Sequence, residues 1–194
     1  PWLRFSQRCK LRALTLRWRF VVKTSSEQTS HTLELVGIFK SYNLGLAAQT
    51  QVLHGLNLTL KRGEFVALIG PSGSGKSTLL NLIGLLDKPS SGELFITGTA
   101  TTQLADSQLT QSRARAIGFV FQFHNLLPEF TAIENVCIPA FIGGQSQQQA
   151  EKRAKELLAF LKLEARMDHK PGQLSGGEQQ RVAVARALMN NPAV

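Results

Sequence analysis

Eight residues limit what this chain can be more than any others: Gly70-Pro71-Ser72-Gly73-Ser74-Gly75-Lys76-Ser77. They follow an unbroken apolar run, Phe65-Val66-Ala67-Leu68-Ile69, and lead into an apolar segment that continues to Leu86. The spacing is G-x-x-x-x-G-K-[ST] between a strand and a helix, the setting in which that pattern binds phosphate. Glycines let the backbone curl so that successive N–H groups face one anion. A helix starting near Lys76 aims its positive end at the same place. Lys76 adds a mobile charge for β- and γ-phosphates, and the Ser77 hydroxyl suits Mg²⁺. The rival account is a Gly/Ser turn without a ligand, and the flanking strand and helix argue against it. The loop alone does not separate kinases, GTPases, motors and transporters.

The segments around the loop suggest a mixed α/β domain. Five consecutive apolar residues at 65–69 suit a parallel strand buried on both faces. Lys76 to Leu86 is apolar nearly all round and reads as a buried helix, stopped by Asp87-Lys88-Pro89-Ser90-Ser91-Gly92. Leu33 to Phe39 and Val52 to Leu60 read as strands, with shorter ones near Glu93–Thr97 and Ala116–Phe121. Beyond Gln122 the period becomes helical. Ala150, Ala154, Leu157, Leu158 and Leu161 share one helix face, and Glu178 to Met189 form a second helix closed by Asn190-Asn191-Pro192.

The formal charge of +9 first suggests nucleic acid or an anionic membrane. Seven of the basic residues (Arg4, Arg8, Lys10, Arg12, Arg17, Arg19, Lys23) lie within residues 1–26, which hold no acid, so residues 27–194 carry only +2. The nucleic-acid reading loses most of its support. Residues 1–30 therefore read as a basic, acid-poor segment outside the fold, followed by one domain over 31–194. A transit peptide or a membrane-surface segment has the same composition. Cys9 and Cys137 are in no metal or disulfide spacing. No apolar run is long enough to span a bilayer. Pro1 at one end and Pro192-Ala193-Val194 at the other give the chain the look of a fragment.

A second glycine motif, Leu174-Ser175-Gly176-Gly177-Glu178-Gln179-Gln180-Arg181, opens the last helix. Ser175 with Glu178 three residues on makes a capping box, worth roughly 1 kcal/mol with no functional role. Two glycines in the first turn do nothing for the helix, each costing about 1 kcal/mol against Ala in a helix interior. They make better sense where an anion must approach the backbone closely.

Together these two motifs resemble the ATP-binding subunits of ABC transporters, with Leu174–Gln179 similar to the signature motif and Gly70–Ser77 to the phosphate loop. The segment Phe121-Gln122-Phe123-His124-Asn125-Leu126-Leu127-Pro128-Glu129-Phe130-Thr131-Ala132-Ile133-Glu134-Asn135-Val136 is similar to the branch containing lipoprotein-releasing and macrolide-exporting ATPases. The resemblance implies an α/β P-loop NTPase fold of the ABC nucleotide-binding type, with an antiparallel β subdomain and an α-helical subdomain, truncated at its C-terminus before the acidic strand. It implies an ATPase using ATP and Mg²⁺, paired head to tail with a second ATPase subunit. Separate transmembrane permease subunits would hold the pair at the cytoplasmic face of the inner membrane.

The implied ATP-binding residues are Tyr42, Gly70, Pro71, Ser72, Gly73, Ser74, Gly75, Lys76, Ser77, Thr78 and Gln122. Of these, Lys76 and Gln122 would be catalytic, and Ser77 and Gln122 would face the metal. Ser175, Gly176, Gly177, Glu178 and Gln179 would meet the ATP of the opposite subunit. On its own chemistry, Gln122 is as well read as a surface glutamine ending a strand. Tyr42 is equally an ordinary strand aromatic. Leu126, Leu127 and Phe130 are candidates for docking a permease helix or for packing the helical subdomain. The family's acidic pair and switch histidine have no counterpart, since none of His31, His54, His124 or His169 lies in the right place.

Two other readings compete. An ABC ATPase acting on nucleic acid with long insertions is disfavoured, because only 53 positions separate Gln122 from Ser175. A P-loop kinase or GTPase leaves Ser175–Glu178 unexplained. Relatives that export macrolides or peptides, or serve cell division, share the engine.

Overall fold

The computed structural model describes residues 19–23, at the level of the backbone, and residues 31–43, 45 and 50–194. Expectations for residues 1–18 and 24–30 lie outside the described residues. The strands are β1 (Arg19–Lys23), β2 (His31–Tyr42), β3 (Thr50–Lys61), β4 (Phe65–Ile69), β5 (Ser91–Ile96) and β6 (Thr99–Ala100). The helices are α1 (Lys76–Ile83), α2 (Asp106–Ala116), α3 (Ala132–Ile142), α4 (Gln147–Phe160) and α5 (Gly176–Leu188).

Four strands form an antiparallel sheet in the order β3-β2-β5-β6. Along β2 the buried side chains are Leu33 and Leu35, then Ile38 and Lys40, so the alternation slips by one residue. The slip is a bulge at Gly37, where φ is +56° and the pairing to both neighbours shifts register. Gly92 of β5 lies against it. A β-carbon on Gly92 would come 2.3 Å from the Gly37 carbonyl oxygen, so the two backbones can pass only with glycine at 92. The sheet's inner leucines and isoleucines (Leu33, Leu35, Ile38, Leu53, Leu94, Ile96) pack on Leu79, Leu82 and Leu85 of the α1 region.

A second core lies between α3, α4 and α5. Its contacts alternate small and large residues: Ala132, Val136 and Ala140 meet Ala150, Ala154, Leu157 and Leu158, with Val182, Ala185 and Met189 from α5. The alanines let the helices approach closely, and the leucines fill the remaining space. All four residues expected on the inner face of α4 up to Leu158 are buried, and Leu161 packs at the margin. The architecture is an antiparallel β subdomain carrying the phosphate loop beside an α-helical subdomain.

Asn135 is wholly buried in this second core. Its Oδ1 accepts from the Leu127 backbone N–H, and its Nδ2 donates to the carbonyls of Leu127, Phe130 and Thr131. The side chain thus fixes the loop 127–131 to the start of α3. Asn135→Ala is expected to lower stability by about 2–4 kcal/mol, since it leaves the part-buried Leu127 N–H and Phe130 carbonyl without a partner at ~1–3 kcal/mol each. Urea unfolding of the two proteins checks this.

Several expectations need correction. The strand at 65–69 exists, but it pairs antiparallel with β1 and is not a doubly buried parallel strand; Phe65 is 76% and Ile69 52% exposed. An apolar run reports what a strand can bury, and among the described residues β1 is the only strand alongside it. Five residues of the segment expected to lie outside the fold, Arg19–Lys23, supply that partner; Phe20-Val21-Val22 is a β-prone sequence. Helix α1 ends at Ile83, short of Leu86, and only one side of it is buried, since Ser77, Leu80 and Asn81 are exposed. Leu85 takes φ +53° just beyond the helix, which breaks its continuation.

Ala116–Phe121 is not a strand. Ala116 is the last residue of α2, a polar helix whose Asp106 start and Arg113/Arg115 end complement the helix dipole. Gly118 N–H donates to the Val194 carbonyl at 2.9 Å and Val194 N–H donates to the Ala116 carbonyl at 3.0 Å. Those two bonds are the pattern of a parallel pair centred on Ile117.

Candidate functional site

The phosphate loop joins the end of β4 to the first turn of α1. Gly75 is the N-cap of α1 with φ +83°, and no side chain caps that end. The first N–H groups of a helix have no intrahelical acceptor, so they point into the loop's mouth. Glycine is required at 75 twice over. Besides its φ, a β-carbon there would come 2.9 Å from Val52 Cγ1 and 3.2 Å from Leu53 Cδ2 of β3. Gly73 also has positive φ, +76°, with open space around it. Ser74 is buried and its backbone N–H donates to the Pro71 carbonyl at 3.3 Å, which tightens the turn.

Lys76 folds back across this loop. Its Nζ donates to the Gly70 carbonyl at 2.8 Å, the Pro71 carbonyl at 2.6 Å and Ser74 Oγ at 3.3 Å. All three acceptors are neutral. An anionic oxygen at the mouth forms a stronger, charge-assisted bond than any of them. Ser77 is exposed in the first turn of α1, and Thr78 beside it is half-buried. The residue types and backbone shape fit a polyphosphate, and Ser77 fits as an oxygen donor to an accompanying hard cation.

No hydrogen bond among the described residues joins Tyr42, Gln122 or the Ser175–Gln179 motif to this loop. Tyr42 ends β2, 37% exposed, and its hydroxyl donates to Asp87 Oδ2 at 3.1 Å. Asp87 lies beyond the C-terminal end of α1, away from the phosphate loop. The Lys40 ammonium sits 2.6 Å from Asp87 Oδ1 and 4.9 Å from the Tyr42 ring centroid. Burial alone would raise the Asp87 pKa, but Lys40, the Lys88 backbone N–H and Tyr42 outweigh it and hold the carboxyl below its ordinary value.

Gln122 is exposed, and none of the described hydrogen bonds uses its side chain. It occupies a turn closed by the His124 N–H to the Phe121 carbonyl at 3.1 Å. His124 and Asn125 follow with φ +61° and +47°. Such conformations cost ~1–3 kcal/mol each for non-glycine residues and persist only where neighbours enforce them. The enforcing neighbour is Arg186 of α5, which the sequence did not single out. Its two guanidinium nitrogens each donate at 2.6 Å, one to the Asn125 carbonyl and one to the His124 carbonyl. Burial pushes the Arg186 pKa down. Asn135 was also missed, although a polar residue inside the apolar helix Ala132–Ile142 was a readable signal.

At the second glycine motif, Ser175 is the N-cap of α5 and the capping box is formed. Ser175 N–H and its hydroxyl both donate to Glu178 Oε2, at 2.8 and 2.7 Å. Arg166 donates to Glu178 Oε1 at 3.1 Å. These bonds, from the Ser175 backbone first, then its hydroxyl, then Arg166, bring the Glu178 pKa down from 4.5 to about 2. A depressed carboxyl stabilises the fold above its ordinary pKa, and that contribution is lost as pH falls through the folded value. The protection of the amides in the first turn of α5, measured against their intrinsic exchange rate at each pH, is therefore expected to fall as pH drops from ~4.5 to ~2. In Glu178→Gln that pH-dependent step should vanish.

Gly176 and Gly177 are exposed and neither has positive φ. A β-carbon on Gly176 meets nothing within 4 Å, and on Gly177 only an Arg181 guanidinium nitrogen at 3.8 Å. This chain's own packing does not require either glycine. Gln179 is held within the chain. Its Nε2 donates to the Pro171 and Leu174 carbonyls at 3.0 and 3.1 Å, anchoring the loop that leads into α5.

Residues 53–194, which carry both glycine motifs, match the family model described as ABC transporter. The chain belongs to the ABC transporter family. It is an ABC-type ATP-binding chain with the cassette fold, of the ATPase class. Among curated relatives, it is 54% identical over 162 residues to the lipoprotein-releasing system ATP-binding protein LolD of Bacteroides thetaiotaomicron, covering 84% of this chain and 72% of that protein. It is 56% identical over 161 residues to LolD 1 of Rhodopseudomonas palustris, covering 82% and 71%. Of solved structures, it resembles a dimeric, post-hydrolysis ATP-binding cassette bound to ADP and Pi. That likeness has TM-score 0.72 and 49% identity and covers 82% of this chain and 70% of that one. No helix among the described residues of this cassette is long and apolar enough to cross a membrane.

Proposed function

We propose that the chain is the ATP-binding and hydrolysing subunit that powers a transporter releasing lipoproteins from the inner membrane. The observation that carries the nucleotide chemistry is the loop at 70–77, with Lys76 drawn over its mouth by neutral carbonyls and α1 left uncapped. The lipoprotein cargo rests on what the relatives named above act on. In this reading Gly70 to Thr78 wrap the phosphates of ATP. Lys76 moves from its carbonyl acceptors to the β- and γ-phosphates, and Ser77 and Gln122 face Mg²⁺. When bound, that ion neutralises charge across the two phosphates. Tyr42 is the candidate for stacking on adenine, which requires its ring to be free of the Lys40–Asp87 pair on one face.

The glycines at 176 and 177 support a second, head-to-tail ATPase subunit. Their exposed backbone leaves room for an external anion, and Ser175 stands at the positive end of α5. Separate permease subunits complete the machine at the cytoplasmic face of the membrane. An apolar cavity of about 450 Å³ lined by Phe119, Phe121, Pro139, Ile142, Arg186 and Asn190 supports a helix docking there. The exposed Phe123, Leu127 and Phe130 lie in the loop segment Phe121–Phe130 beside it. Leu126, in contrast, packs into the helical core.

Two measurements test the proposal. The protein is expected to sediment with membranes only when a permease is co-expressed; sedimentation without one contradicts the docking. Phosphate release from Mg²⁺-ATP by the permease-bound protein is expected to disappear in Lys76→Ala, which removes the charge on the β- and γ-phosphates; release that persists in that variant contradicts the assignment.

A further inference from the structure

We propose that Arg186 is a positioning residue for Gln122, tying the turn that carries this glutamine to the helix that begins at Ser175. The inference rests on the reading of Gln122 and Ser175 as nucleotide contacts. Gln122 makes no described hydrogen bond of its own, so its place is set by the turn Phe121–His124 alone. That turn runs directly into His124 and Asn125, whose φ values of +61° and +47° give the backbone a bend it does not adopt unaided. The Arg186 guanidinium spans the bend, one donor to each carbonyl, both at 2.6 Å. No acid competes for it, since Arg186 enters none of the described salt bridges. A half-buried cation spent on two neutral carbonyls is an unusual use of charge for packing alone. It is the use expected where two segments must keep one relative position.

The helix makes the connection directional. Arg186 stands eleven residues after Ser175, which brings it back to the same face about three turns, or ~16 Å, further along. One turn on, Asn190 Nδ2 donates to the carbonyls of Ala114 in α2 and Pro139 in α3, at 2.9 and 3.0 Å. The far end of α5 is therefore fastened to three separate segments, and its near end carries the exposed glycines. A displacement of the Ser175 end is carried along a rigid helix to the turn holding Gln122.

Hydrogen exchange on the 194-residue chain tests this. Arg186→Gln is expected to speed exchange over residues 119–126 by about tenfold or more, with residues 177–188 of α5 and 132–142 of α3 unchanged. Arg186→Lys keeps the charge without the fork and should fall between the two. Unchanged exchange at 119–126, or equal loosening of all three segments, overturns the proposal. A second readout is the gain in ATP affinity on adding Mg²⁺. Gln122→Ala and Arg186→Gln should reduce it by the same factor, and the double variant should go no further. Additive losses overturn the coupling. If Gln122→Ala leaves the gain intact, the role given to Gln122 fails, and the exchange result still decides whether Arg186 holds the turn.

Discussion

Lys76→Ala is expected to weaken ATP binding by roughly 10- to 150-fold, the equivalent of ~1.5–3 kcal/mol for a lost hydrogen bond to a charged group. The ammonium is already at the mouth of the loop, so little ordering is needed before it meets a phosphate. The same substitution removes bonds to the Gly70 and Pro71 carbonyls, so a purely structural effect must be separated from a ligand effect. Titration with a fluorescent ATP analogue, beside thermal melts of both proteins, does this. A large loss of affinity with a melt shifted by only a few degrees matches the account. Unchanged affinity contradicts it.

Ser175→Arg is expected to leave ATP binding to the chain's own loop within about twofold, because no described contact joins the two motifs. It should abolish ATP-dependent pairing, since bulk and positive charge would fill the place where a γ-phosphate from the other subunit arrives. Sedimentation velocity with Mg²⁺ and ATP reads both states. Gly176→Ala sharpens the test. A β-carbon there meets nothing within 4 Å of this chain, so the monomer should fold as before while pairing weakens. Pairing that survives Ser175→Arg would show that the motif faces something other than a partner's nucleotide.

Much of this was legible in the residues. The loop at 70–77 was readable because its chemistry is local: glycine spacing, one lysine and a strand–helix junction. The capping box at Ser175 and Glu178 was local too, and so was the face of α4, where apolar residues recur at helical spacing. Failures came where neighbours decide. The run Phe65–Ile69 said that a strand could be buried on both sides but nothing of what would pair with it, and β1 came from a segment judged by charge alone. Ala116–Phe121 looked like a strand because Ile117, Phe119 and Phe121 alternate. The helix Asp106–Ala116 that claims its first residue has no apolar period to announce it. Arg186 was hidden for a different reason: an arginine on an amphipathic helix looks the same whether it is solvated or clamps two carbonyls sixty residues away in sequence. For Gln179, membership of a motif suggested a ligand contact and said nothing of the loop that its amide anchors.

The central claim is that ATP phosphates bind at Gly70–Ser77, and hydrogen exchange with and without Mg²⁺ and ATP tests it most directly. The account predicts slowed exchange over residues 70–80, lost in Lys76→Ala, with protection at 175–180 only at protein concentrations where the chain pairs. ATP binding that leaves residues 70–80 exchanging at their original rates would contradict it.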